Sequence, residues 1–557
     1  MNQAVRAIWT TQSTDVIKTG SWRLALPAYV NPPAPCHNAC PVDGNIAVWI
    51  QYVESQAYQD AWLTLVDNNP FPAVTGRICH RPCEDSCNRG QLDEPIAIRC
   101  LERFVGDMAL ENGWAFPDTD ISQAETIAVV GGGPAGLAAA FHLRRMGYAV
   151  TLFEAQPQLG GVLRYGIPPY RLPKDILDAE IKRILELGID VRTDTRISSH
   201  ADFKNLRSEF AAIFIATGAT VPKRLPQLDY SQPWVIESAN YLEQSNVGDH
   251  PQSGERVVVI GGGSAAMDVA RTARRHLKEV TVLCLEAEPE MPAQRDEVLE
   301  AKDEGITLID GVMLQSVTDQ APKGLQLACI RVKFEAGAER GEFDVTPIPG
   351  TEFTVDADTI IPAIGQDPDI TKLQDLLDVE AGLVRIDEQL ETSLAGVFAG
   401  GDLVTMQRFV TAAFGFGKQA ATGIDRYLRS ATEGQDMPSK TNGRDIPSQP
   451  TVPINVINTN YHPQAARAKQ QLVSAAERQT SFDEVERALP GGEALAESQR
   501  CFSCGNCTFC DNCFYYCPDM AINRENGGYS VNDDYCKGCG LCVRECPTGA
   551  IVMRQEI

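Results

Sequence analysis

The chain is 557 residues long, 43% hydrophobic and 22% charged, which suits about three or four globular domains with a sizeable core. Its formal net charge of −25 argues against nucleic acid or an anionic membrane surface as a partner. No run of about 18 apolar residues occurs and no signal-peptide core follows Met1, so no membrane insertion is expected; 18 cysteines, grouped for metal binding rather than for pairing, suit a reducing, cytoplasmic setting.

Residues 1–125 form a first unit, with helical patterning at Ile46 to Val66 and Ile96 to Leu110, and with six cysteines: Cys36, Cys40, Cys79, Cys83, Cys87 and Cys100. From Thr126 the pattern turns to alternating strand and helix, the mark of a parallel α/β sheet. Val130 leads into Gly131, Gly133 and Gly136, spaced G-x-G-x-x-G between a strand and a helix. The first glycine permits a tight turn, the second lets the backbone approach a pyrophosphate, and the third packs helix on strand; the helix N-terminus then faces the phosphate charge. Glu154 ends the next strand, where a carboxylate accepts hydrogen bonds from ribose hydroxyls. The stretch that follows, around Gly161, holds no cysteine pair, which argues against a flavin-linked disulfide reductase.

A second copy of this pattern begins near Arg256, with Gly261, Gly263 and Ala266 as G-x-G-x-x-A and a strand running up to Glu286. Two dinucleotide folds in one chain point to hydride transfer between a nicotinamide and a flavin. Position and orientation carry that step, so no side chain is assigned as a catalytic acid or base. Cys284 and Cys329 stand alone and read as buried structural thiols. Further on come Gly401 and Asp402, then a helix from Val410 to Leu428 with Thr411 in its first turn. Residues 431–460 are rich in Ser, Pro, Asn, Gly and Asp and read as a linker, and 461–500 as helical and polar. A tail on such a linker would be separable near Lys440 and would have the reach for a neighbouring protomer in a homodimer.

Ten of the cysteines fall between Cys501 and Cys546. Cys507, Cys510, Cys513 and Cys517 read C-x2-C-x2-C-x3-C-P, and Cys536, Cys539, Cys542 and Cys546 repeat the run. Three closely spaced thiolates wrap one 4Fe–4S cube, and the fourth, before a proline, ligates the other. A zinc ribbon would instead join two C-x2-C knuckles across a longer spacer. The C-terminus is therefore read as a two-cluster ferredoxin. Cys501 and Cys504 lie outside this frame, as free thiols or as members of a shifted one.

Several motifs together carry a family resemblance. PCHNACP (35 to 41), TGRICHRPCEDSC (75 to 87), GGGPAGLAAA, LGGVLRYGIPPYRLPK (159 to 174), EMPA (290 to 293) and FAGGD resemble the glutamate synthase small subunit. The same core recurs in NADPH-linked transhydrogenase large subunits and in the N-terminal half of dihydropyrimidine dehydrogenase. The likeness runs from about residue 30 to 430, and the ferredoxin tail resembles a subset of NAD(P)H-linked electron-transfer subunits. Members of that subset serve 2-oxoacid oxidoreductases or dissimilatory sulfite reductase. The resemblance implies an α/β protein with two Rossmann-like domains, an N-terminal helical iron–sulfur domain and a C-terminal bacterial-type ferredoxin domain. The expected division is a helical Fe–S domain over 1–125, an FAD domain over 126–250 and 395–430, and an inserted NAD(P) domain over 251–394. A linker and helical segment follow over 431–500, and the ferredoxin domain over 501–557.

By the same resemblance, FAD occupies the first site, with Asp402 on its flavin side and the helix opening at Thr411 aimed at the ring's pyrimidine. The cluster near the flavin would take Cys40, Cys79 and Cys83, with Glu102 as fourth ligand and Cys87 or Cys100 as the alternatives. The family's other N-terminal cluster needs Cys36, Cys87 and two cysteines just upstream of Cys36; WRLALPAYVNPPAP supplies none. One N-terminal cluster, and three 4Fe–4S clusters in all, are therefore expected. NADP-linked relatives carry Tyr-Arg-Arg where this chain has Cys284, Leu285 and Glu286, so NAD(H) is expected over NADP(H), unless Arg271, Arg274 or Arg275 reaches a phosphate. The function implied is an NAD(P)H:acceptor oxidoreductase of ferredoxin type, exchanging electrons with a partner protein or a catalytic subunit. A glutamate synthase small subunit feeding a glutamine-dependent large subunit is the alternative, and the ferredoxin tail counts against it. An electron-carrying scaffold with a dead nicotinamide site is a third.

Overall fold

The computed structural model describes residues 18–337, 342–371, 373–433 and 450–555. The sequence before residue 18 and the part of the linker over 434–449 lie outside the described residues. Among the described residues, no helix is long and apolar enough to cross a membrane.

The strand Thr126–Val130 is the centre of a five-stranded parallel sheet, between Ala212–Ile215 and Ala149–Phe153, with Val397–Ala399 and Asp190–Arg192 at the edges. Ile127, Ala128 and Val129 are fully buried, as a strand covered on both faces by helices must be. One of those helices is Pro134–Arg145, and the long helix Val410–Glu433 lies against it. A methyl group at Gly417 would fall 2.3 Å from the carbonyl oxygen of Ala135, so only glycine lets the two backbones approach this closely.

A second parallel sheet runs Thr359–Pro362, Arg256–Ile260, Glu279–Leu283, Thr307–Ile309. Against it packs an antiparallel sheet not anticipated from the sequence, built from Val312–Asp319, Leu325–Ala336, Phe343–Pro347 and Phe353–Ala357. Leu327 and Cys329 of this layer close the core over Val258 and Ile360. Cys284 and Cys329 are both buried, as expected of structural thiols.

The boundaries between the nucleotide domains differ from the expected ones. Val221–Pro222 pairs antiparallel with Gln366–Asp367, a two-stranded crossing between the two units. Beyond it, Leu373, Leu377 and Val384 pack with Phe203, Phe210 and Val397 of the first unit. Tyr241 and Leu242 instead join the core of the second. Residues 241–242 thus pack with the second unit and residues 373–384 with the first.

The N-terminal unit is a set of short helices. The expected helix over Ile46 to Val66 is two, Ile46–Glu54 and Tyr58–Val66, broken where Gln56 takes φ +59. Pro35–Ala39, Pro72–Ile78, Pro82–Asp85 and Ile98–Glu111 are its other α-helices among the described residues.

Residues 450–500 correct the expected polar helical segment. Only Ala475–Arg478 and Gly491–Ser498 are α-helical, and much of the rest is an irregular strap laid on the N-terminal unit. Its polar backbone is met by buried arginines. Arg89, 1% exposed, donates to the carbonyl oxygens of Pro463 (2.7 Å) and Arg500 (2.8 Å) and pairs with Asp93. Asn88 donates to the Val452 carbonyl at 2.8 Å. Arg99 pairs with Glu486 at 2.9 Å, and Arg77 with Glu484 at 2.8 Å. The tail itself is joined to the N-terminal unit by an antiparallel pair, Ala25–Tyr29 with Ile551–Gln555. The tail is therefore docked on its own chain, and cutting near Lys440 would strip partners from these buried arginines.

Replacing Arg89 by Ala removes a buried cation that holds the strap at two carbonyls. Arg89→Ala is expected to destabilise the protein by about 3–5 kcal/mol in denaturant titration, with limited proteolysis cutting first within 450–500. An unchanged midpoint and cleavage pattern would contradict this account of the strap.

Candidate functional site

The first crevice is built from the turn after Thr126–Val130. Gly131 takes φ +111, and a methyl group there would lie 2.4 Å from the Ala216 carbonyl oxygen. At Gly136 it would lie 1.8 Å from the Gly131 carbonyl oxygen, so the helix start is pressed onto the turn. Gly133 caps the helix Pro134–Arg145. Glu154 is braced at the strand end: the Gly132 N–H donates to Oε2 at 2.7 Å and the Gln156 N–H to Oε1 at 2.8 Å. A methyl at Gly161 would stand 2.9 Å from Gly133 Cα, and one at Gly401 3.1 Å from Ala135 Cβ, so both loops meet the same helix N-terminus. Asp402 follows in a short 3-10 turn, and Thr411, 5% exposed, opens the helix Val410–Glu433. The predicted residues of the first site thus gather round one crevice at the carboxyl ends of parallel strands, where open α/β sheets hold dinucleotides. Their bare backbone, helix N-terminus and acidic strand end fit the pyrophosphate and ribose of FAD.

The second crevice repeats the first. Gly261 takes φ +141, with 2.4 Å between a methyl there and the Ala363 carbonyl oxygen. Gly263 caps the helix Ser264–Arg275, and Ala266 is buried in its first turn. Glu286 Oε2 would stand 2.6 Å from a methyl at Gly262, as Glu154 Oε2 would stand 3.1 Å from one at Gly132. The two carboxylates are equivalent, and burial raises the pKa of Glu286 above the ordinary glutamate range. Asp310 accepts the Glu288 N–H at 3.0 Å, so further carboxylates flank the strand end. The three arginines of the helix are committed elsewhere. Arg271 and Arg275 pair with buried Glu304, both at 2.7 Å, and Arg274 donates to the Glu304 carbonyl (3.0 Å) and to Gln479 (3.1 Å).

Beside the first crevice stands a group of thiols. Burial, then Glu102 and Cys40, push the Cys79 thiol up to about 12; burial, then Cys79 and Cys40, raise Cys83. Cys40, Cys79, Cys83 and Glu102 are therefore neighbours. Burial lifts the Glu102 carboxyl to about 7, while Thr75 Oγ1 (2.8 Å) and Asn69 Nδ2 (2.7 Å) donate to its Oε1 and pull the other way. Asn69 and Thr75 carried no sequence signal. Cys100 sits apart, with Arg99, Glu84 and Glu486 around it. Cys79 Sγ lies 3.8 Å from Thr411 Oγ1, so this group touches the flavin crevice.

In the tail, Cys507, Cys510 and Cys513 line a cavity together with Cys546 from the other run. Cys542 is raised to about 12 by burial, then by Cys536, Cys539 and Cys517, which gives the reciprocal set. Each run lends its last cysteine to the other, the exchange expected of two cubes. Among the described residues, no three His, Cys, Asp or Glu side chains converge tightly enough for a single metal ion. The thiols ring a space instead, which suits a cube whose irons they would ligate from outside. Cys501 and Cys504, which the frame left out, face Cys36 and Cys87 across a second cavity. Cys87 is thus drawn towards Cys36.

Two dinucleotide crevices on parallel sheets, with rings of thiols beside one of them, define a flavin- and pyridine-nucleotide-dependent oxidoreductase with iron–sulfur centres. The family pattern described as pyridine nucleotide-disulphide oxidoreductase matches residues 125–420, and the chain belongs to that family. The pattern for dihydropyrimidine dehydrogenase domain II, 4Fe-4S cluster, matches 31–114, and a 4Fe-4S binding domain matches 529–552. The NADP(+)-dependent formate dehydrogenase subunit beta of Moorella thermoacetica is 34% identical, over 85% of this chain and 70% of its own. The NAD-dependent dihydropyrimidine dehydrogenase subunit PreT of Salmonella typhimurium is 31% identical, over 72% of this chain and 92% of its own. The glutamate synthase [NADPH] small chain of Azospirillum brasilense is 31% identical, over 72% and 87%. The protein is a flavin- and pyridine-nucleotide-linked oxidoreductase with iron–sulfur domains, in line with the resemblance.

Gly136→Ala should leave the fold's circular dichroism intact but displace the helix N-terminus from the turn. Flavin retained per chain is expected to fall below about one-tenth of the parent's, the effect of ~1.4 kcal/mol or more. Full flavin content in that variant would refute the assignment of the first crevice.

Proposed function

We propose that the chain is an NADH-preferring subunit that exchanges hydride between nicotinamide and FAD, and single electrons between its 4Fe–4S clusters and a redox partner protein or catalytic subunit. The observation that carries the reading is the contact of Cys79 Sγ with Thr411 Oγ1 at 3.8 Å, which joins a ring of thiols to the flavin crevice. FAD, when bound, supplies the conversion between a two-electron and a one-electron donor. Gly131, Gly133, Gly136, Glu154, Gly161, Gly401, Asp402 and Thr411 would hold it, and Gly261, Gly263, Ala266 and Glu286 the nicotinamide dinucleotide. Cys40, Cys79, Cys83 and Glu102 would hold the flavin-side cluster. Both donors to Glu102 end on Oε1, so Oε2 is the oxygen that would meet iron. The eight cysteines of the ferredoxin frame would hold two more. That the Moorella relative is named as a subunit supports a partner polypeptide, and the ferredoxin tail supports an acceptor of ferredoxin type. The tail is also what favours this reading over a glutamate synthase small chain, whose delivery of electrons to a glutamine-using subunit does not need it.

Preference for NADH rests on Glu286 and on what surrounds it. A carboxylate equivalent to Glu154 accepts the 2′- and 3′-hydroxyls of NAD and repels an added phosphate. Two of the relatives are named for NADP(H), but no arginine of the helix 264–275 is available to replace the missing clamp, since all three have partners. The electrostatic difference should amount to roughly 2–4 kcal/mol, a factor of about 30 to 1,000 in efficiency. Steady-state dye reduction with each nucleotide tests it. Leu285→Arg with Glu286→Arg should move preference towards NADPH without changing FAD content; equal or better efficiency of the parent with NADPH would refute the preference.

A further inference from the structure

Cys501 and Cys504 end the strap, only three residues before the ferredoxin frame begins at Cys507. The chain does not leave them in solvent. A methyl at Gly505 would lie 1.8 Å from the Pro32 carbonyl oxygen, so this loop is pressed against the segment that carries Cys36. Its position is fixed from below by Arg89, which donates to the Arg500 carbonyl and lies 5.0 Å from the centre of the Phe502 ring. The result is a cavity lined by Cys36 and Cys87 from the N-terminal unit and by Cys501 and Cys504 from this loop. Its remaining lining is largely apolar, including Ile46, Ile50 and Ile98.

From this we infer that Cys36, Cys87, Cys501 and Cys504 form a fourth 4Fe–4S site, with two ligands from each end of the chain. Three observations carry it. The cavity matches, in its four thiols, the one ringed by Cys507, Cys510, Cys513 and Cys546, whose sequence pattern has one chemical use. None of the four thiols is in a disulfide, and four thiols kept in one apolar cavity have no structural purpose that valine or serine would not serve as well. Polar donors already point at the sulfurs, as they do around iron–sulfur centres: Ser503 N–H to Cys501 Sγ at 3.4 Å, and Asn88 Nδ2 to Cys504 Sγ at 3.5 Å.

The site has a place in the relay. Cys36 and Cys40 share the short helix Pro35–Ala39 and its C-cap, so one side adjoins the flavin-side thiols. On the other side, the Gly505 N–H donates to the Thr548 carbonyl at 2.7 Å, and Thr548 Oγ1 lies 3.6 Å from Cys546 Sγ of the ferredoxin ring. A cluster held here would let an electron pass between the flavin side and the tail without any bond forming or breaking. The count of clusters becomes four in place of the three expected from the sequence. The inference rests on the reading of the chain as an iron–sulfur flavoprotein, and its test separates the two.

Full-length protein reconstituted anaerobically should carry about sixteen iron and sixteen sulfide per chain, for four four-iron cubes. The double variant Cys501→Ser, Cys504→Ser should carry about twelve of each, with FAD content unchanged. Cys36→Ser with Cys87→Ser should lose the same four, and the quadruple variant no more than either double. One reduced-cluster signal should vanish from the electron paramagnetic resonance spectrum in all three. About twelve iron in the parent with full FAD, zinc in place of iron, or doubles whose losses add, would overturn the fourth site alone. A parent without iron would overturn the broader reading instead.

Discussion

Arg89 is a cation sealed inside the N-terminal unit, and a buried guanidinium must find acceptors for its donors or unfold its surroundings. Asp93 meets it from its own unit, but the other acceptors are carbonyls of Pro463 and Arg500, contributed by chain almost four hundred residues away. That need draws the strap back across the first unit. Once it is there, Arg77, Arg99 and Arg103 find Glu484 and Glu486, and the loop carrying Cys501 has nowhere to go but against Cys36. The pairing of the first and last strands then closes the chain on itself. The tail is held in register with the flavin unit by these contacts.

The second constraint is the approach of backbones at glycine. Gly417 lets the helix that begins at Val410 lie on the helix that begins at Pro134, so Thr411 is delivered to the mouth of the flavin crevice. The N-terminal unit reaches the same helix: Phe71 stacks on Phe414 with 4.9 Å between ring centres, and Lys418 donates to the Val42 carbonyl at 2.8 Å. Cys79 is thereby held at Thr411. The placement of Thr411, of Cys79 and of the tail is set by one packed helix and one strap.

Much of this was legible in the sequence where the ligands of a site are close neighbours. The glycine turns at Gly131 and Gly261, their acidic strand ends and the two ferredoxin runs are local patterns, and local patterns survive in one dimension. The partnership of Cys501 and Cys504 with Cys36 and Cys87 does not, since its two halves lie at opposite ends of the chain; the C-x2-C spacing at 501 was the only signal. The strap was misread as helical because its backbone is satisfied partly by side chains of another unit, which leaves no period to read. The domain boundary was placed by the start of the second glycine pattern, and the paired ribbon at 221–222 and 366–367 joins segments too far apart in sequence to be read from it. Asn69 and Thr75, which orient Glu102, look in sequence like any polar residues beside a helix start.

On the proposed reading, NADH would reduce bound FAD, and the flavin would pass electrons on to the clusters. Anaerobic mixing of the full-length protein with NADH, followed by rapid-freeze electron paramagnetic resonance alongside flavin absorbance, follows both in one time course. The account predicts flavin bleaching first and reduced iron–sulfur signals after it, at a rate set by the flavin's oxidation. Cluster signals that precede bleaching, or a flavin that stays reduced while every cluster remains oxidised, would contradict it.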